Sequence, residues 1–263
     1  MLSGTIIIKN KYIFLFLLLS LSVSFLISSC KLLADKDDEI PGFYSIENGV
    51  FTIGQYQVYE PNNSAVKISE AYFEYYKNLE VYPFVIIPNG SPNPDYIAVG
   101  GGKIKEGILE FTIPSLESKH LRDWDFFKTI AFREWNIANK IDIDETTTKG
   151  NYVFFSTVDK KISRENPALN WENVIAINNP DEVSMESVII IYVNKDCNIK
   201  GKSGEGEFPG SYLFTCNSFN LSLKKGWNLF IRRVSYGKSG KAEISIEDFS
   251  NNNLRWVIRS SMN

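Results

Sequence analysis

Beyond residue 42, apolar and polar residues alternate with a period of two over much of the chain. Leu109, Phe111 and Ile113 are interleaved with Glu110 and Thr112, and Pro114 closes the run. Phe219, Leu221 and Leu223 alternate with Asn220, Ser222 and Lys224. Trp227, Leu229 and Ile231 form one row, and Leu254, Trp256 and Ile258 form another. Successive side chains of a strand point to opposite faces, so each row predicts a strand with one face on a core. Residues 82–87, 152–155 and 188–193 are apolar on both faces and predict central strands covered on both sides. β-branched and aromatic residues dominate these runs, as a pleated surface favours. Between them lie turn-forming residues: Pro88-Asn89-Gly90, Gly100-Gly101-Gly102, Asn178-Asn179-Pro180, and the glycine-rich stretches 201–206 and 237–240. One stretch has helical spacing instead. Leu121, Trp124, Phe127, Ala131 and Trp135, with Ser118 as a cap, predict a helix over 119–136. Residues 68–79 fit a helix or a strand. No βαβ period is present, which argues against a doubly wound sheet.

These elements predict an all-β fold with at most one or two short helices. The polar stretch 142–149 suggests a boundary at Lys149-Gly150, giving two β-sandwich-like modules, residues 42–150 and 151–263. One larger β domain is the alternative, since all-β domains commonly reach this length.

Residues 1–29 differ from everything after them. Their charges are Lys9 and Lys11, and residues 12–27 are almost wholly apolar. A short basic region, an apolar run and then small residues is the layout of a secretory signal. The run is shorter than the roughly 20 apolar residues that a membrane-spanning helix needs. It ends in Ile27-Ser28-Ser29-Cys30.

That tetrapeptide resembles the lipobox of bacterial lipoproteins, an aliphatic residue and two small residues before a cysteine. The resemblance covers residues 1–30. It implies that Ile27, Ser28 and Ser29 are recognition positions, that 1–29 is removed, and that Cys30 is acylated and seated in a lipid bilayer. In that family an Asp after the cysteine commonly retains the protein at the inner membrane. Lys31 stands there in this chain, so the resemblance favours the outer membrane, with the folded part facing the periplasm or the cell surface. Residues 30–41 then read as the lipidated cysteine and a charged tether, closed by Pro41.

Composition narrows the choices for the folded part. Hydrophobic residues at 44% and aromatic residues at 14% suffice for a packed core. Without Lys9 and Lys11 the remainder carries 26 basic and 31 acidic residues, a formal charge of −5. That modest balance argues against a nucleic-acid partner, which would want a basic patch, and no basic run of four or more residues appears. Apart from Cys30 there are Cys197 and Cys216. Export permits a disulfide between them, and two separate buried thiols are the other reading.

No set of residues nominates a reaction. Gly-Lys-Ser-Gly at 201–204 and 237–240 lacks the earlier glycine of a phosphate loop, because Asp196 and Arg232 occupy that position. His120 is the one histidine, and its polar neighbours suggest a solvated ring. The acidic groups Asp142, Asp144, Glu145 and Asp181, Glu182 read as exposed turns before Ca²⁺ ligands or a carboxylate pair. No catalytic residue, metal ligand or cofactor is therefore expected. Trp124, Trp135 and Trp171 stand beside charged residues and are the candidates for stacking on a glycan, whereas Trp227 and Trp256 on clean alternating faces are core. The expectation is a tethered binding, adhesion or envelope-structural protein with an unidentified protein or glycan ligand. A glycan-binding or glycan-processing lipoprotein is the alternative.

Overall fold

The computed structural model describes residues 42–60, 63–67, 78–87, 95–156, 168–176, 183–208, 212–237, 241–249 and 254–259. In the first half the strands are β1 Phe43–Glu47, β2 Val50–Glu60, β3 Asn63–Lys67, β4 Asn78–Ile87, β5 Asp95–Ala98, β6 Gly101–Lys105 and β7 Ile108–Ile113. A single 3-10 turn, Ser118–His120, leads into β8 Arg122–Asp123 and two short helices, α1 Trp124–Ala131 and α2 Arg133–Ile137. There follow β9 Ile141–Ile143, β10 Lys149–Ser156, β11 Ala168–Ala176, β12 Val183–Val193, β13 Cys197–Gly201 and β14 Gly204–Glu207. The last strands are β15 Leu213–Cys216, β16 Phe219–Leu223, β17 Gly226–Tyr236, β18 Ala242–Asp248 and β19 Arg255–Arg259. The fold is all-β with two short helices, as the alternation requires.

Two hairpins have two-residue turns whose residues both take positive φ. These are Asn48-Gly49 between β1 and β2 (52° and 78°) and Glu106-Gly107 between β6 and β7 (51° and 77°). Such turns match the right-handed twist of the strands they join. The triple glycine expected as a turn instead feeds a strand, since β6 starts at Gly101. A Cβ on Gly102 would lie 2.2 Å from both the Glu110 carbonyl oxygen and Phe111 Cβ, so β6 needs a bare backbone there to approach β7.

The strand pairings close on themselves. β10 pairs with β4, β4 with β6, β6 with β7, β7 with β2, β2 with β19, β19 with β11, and β11 with β10. Around this ring lie Phe51, Ile53, Val81, Val85, Leu109, Phe111, Val153, Phe155 and Trp256, all in one apolar core. β12 joins both β10 and β11, and β17, β18, β15 and β14 continue the sheet outward from it. β9, β13 and β16 form a separate three-stranded sheet. That sheet and the two helices contribute to a second core, which covers the other face of β12 and β17.

β12 and β17 are therefore covered twice. Ile190 and Tyr192, with Trp227 and Ile231, belong to the first core; Ile191 and Val193, with Phe230 and Val234, belong to the second. This is the two-faced burial expected for residues 188–193. The expected division into modules 42–150 and 151–263 is not found. Lys149 and Gly150 begin β10, whose Val153 pairs with Val85, and Trp256 pairs with Val58. Residues Pro41–Asn263 cluster as one compact unit, because the ring takes strands from both halves of the chain.

Candidate functional site

The residues nominated from sequence do not converge. Ile27, Ser28, Ser29 and Cys30 lie outside the described residues, as do the tether 31–41 and the acidic pair Asp181 and Glu182. Trp171 lies in β11, its backbone opposite Trp256, and its side chain is outside the described residues. Trp124 and Trp135, expected as exposed rings, are buried in the second core. The Trp135 ring packs edge-on against Phe219 at 4.9 Å, and its Nε1 donates to the Asn217 carbonyl at 2.9 Å. Buried so, neither ring can stack on a glycan. Their charged sequence neighbours misled because adjacent residues on a helix point about 100° apart.

Cys197 and Cys216 are both free and buried. In the structure Cys197 starts β13 of the small sheet, and Cys216 ends β15 of the large one. Desolvation raises both thiols above their usual range, Cys216 to about 12, so neither is a ready nucleophile. His120, expected in solvent, is buried. The carbonyl of His120 accepts from Asn151 Nδ2 at 2.7 Å, and the same amide donates to the Ile86 carbonyl at 3.0 Å. Asn151 thus pins the 3-10 turn to β4. Burial first, and then Lys119, push the His120 imidazole below its ordinary pKa.

The acidic stretch 142–145 is taken up by its neighbours. Asp142 pairs with Lys202 at 3.2 Å. Asp144 accepts from the Asn198 backbone at 2.8 Å and its side chain at 2.6 Å, which lowers the carboxyl's pKa. Glu145 accepts from Thr147 and lies 3.6 Å from Lys195. Among the described residues, no three His, Cys, Asp or Glu side chains group as a metal site.

Two charged assemblies had no signature in the sequence. The first links α2 to β17, where the Glu134 carboxylate pairs with the Arg232 guanidinium beneath the helices. Tyr152 lies close enough to Arg232 to feel its charge, and burial drives that phenol's pKa up. The second crosses three strands on the opposite face of the large sheet. Arg233 donates to Glu186 at 3.0 Å through Nε and to Glu247 at 2.8 Å through Nη1. Glu186 lies opposite Arg233 in the register of β12 and β17, and its hydrogen bond raises the guanidinium's pKa. Around this chain of charge Ser235 bonds to Ser184 and Ser245 to Glu247. These serines bond each other or a carboxylate that Arg233 already holds, which activates no nucleophile. Both assemblies clasp elements together. Arg232 and Arg233 reach Glu134 and Glu186 across 98 and 47 residues of sequence, and Arg233 reaches Glu247 across 14, so no local spacing could have revealed them.

The class the architecture defines is a β-sandwich-like all-β domain built around a closed ring of strands. No family model, curated protein or solved structure matches the chain.

Proposed function

We propose that the chain is an exported bacterial lipoprotein, acylated at Cys30 and tethered by residues 30–41. Its β domain would then act in binding, adhesion or envelope structure, not in catalysis. The observation that carries the reading is Ile27-Ser28-Ser29-Cys30 placed directly after the basic-then-apolar stretch 9–27. Cysteine usage supports it. The other two thiols are interior groups of the fold, and the third cysteine, Cys30, directly follows the leader-like stretch in the sequence. Among the described residues no helix is long and apolar enough to cross a membrane; acyl chains on Cys30 would hold the protein at a bilayer. Lys31 in place of Asp favours the outer membrane by the family resemblance. The glycan reading gains no observation, with two of its three rings in the core.

Cys30→Ser tests the proposal. Wild type expressed in a diderm bacterium partitions into the detergent phase, and mass analysis finds a mature chain beginning at an acylated Cys30. The variant loses the acyl mass and moves to the aqueous phase. An unacylated wild type, or a variant that partitions unchanged, would sink the proposal.

A further inference from the structure

We draw no further inference here: the strongest candidate, the row of rings that Tyr82, Phe84, Phe154 and Tyr96 form on the face of β4, β10 and β5 turned away from the first core, carries nothing, because nothing in the structure shows what covers it.

Discussion

Two buried side chains carry charge chemistry that stability measurements can read. Glu134 is almost fully buried, and its partner Arg232 is about one-fifth exposed. Removing one member of a buried pair strands the other without compensation and costs about 3–5 kcal/mol. The residual exposure of Arg232 places Glu134→Gln near the bottom of that range, at about 3 kcal/mol in urea unfolding. Glu134→Met combined with Arg232→Met restores most of the loss, because well-packed apolar groups commonly replace such pairs at little cost. A loss below about 0.5 kcal/mol for Glu134→Gln would mean that the pair behaves as a surface bridge. His120 gives the pH dependence. Its folded pKa is depressed, by burial and then by Lys119, with Glu117 opposing and Arg122 adding to the effect. The unfolded chain therefore binds the proton more readily, and stability rises with pH. The His120 contribution is complete above the unfolded pKa of about 6.5 and is lost as pH falls from there toward the folded value. Asp144, Glu145 and Asp196 also have depressed pKa values, but they titrate well below this window. Unfolding free energy followed from pH 7.5 to 5 declines for wild type, and His120→Gln flattens that slope. An unchanged slope would place the titration elsewhere.

At the scale of elements, β6 isolates what a single backbone approach is worth. Gly101 has open space around the position a Cβ would take, whereas Gly102 has the Glu110 carbonyl and Phe111 at 2.2 Å. Gly101→Ala is expected to change stability by less than about 0.5 kcal/mol, as surface substitutions do. Gly102→Ala forces β6 away from β7 and costs at least about 2 kcal/mol, within the range of overpacking. Equal effects in parallel thermal melts would refute the close approach. The same strand illustrates what was legible in the sequence. Period-two rows located β7, β16 and β17 because alternation is dictated by the pleat itself, residue by residue. A glycine's role is set by what lies across from it, so Gly100-Gly101-Gly102 read as a turn. The helix predicted over 119–136 arrives as a 3-10 turn, a short strand and two helices. Leu121 belongs to the first core, and the chain breaks at Phe132 (φ −131°, ψ 41°), whose ring stacks on Phe219 and Phe230 at 5.6 Å each. That break is imposed from distant strands, and no local period encodes it. The site residues were less legible still. Exposure was inferred for Trp124, Trp135 and His120 from polar neighbours in sequence, and long-range packing buried all three.

For the whole molecule, the closed ring decides how the chain comes apart. Strands β2, β4, β6 and β7 from the first half complete a circle with β10, β11 and β19 from the second, through the seams β4–β10 and β2–β19. Cutting at residue 150 opens both seams. A fragment 42–150 would expose Phe51, Phe111 and Val85, and a fragment 151–263 would expose Phe155 and Trp256, all from one core. The two cores are also bound to each other, since β12 and β17 put alternate side chains into each. Loss of one core strips a face from the strands that support the other. A Cys30→Ser form of the protein is therefore expected to unfold in one cooperative transition, with tryptophan fluorescence, near-ultraviolet and far-ultraviolet dichroism coincident in urea. Trp256 reports on the ring and Trp135 on the second core, so fluorescence alone samples both. Separately expressed 42–150 and 151–263 fail to give dispersed amide spectra, while mixing them restores structure if the seams re-form. Two resolved transitions, or a folded 42–150 fragment, would show that the ring can open without the molecule losing its core.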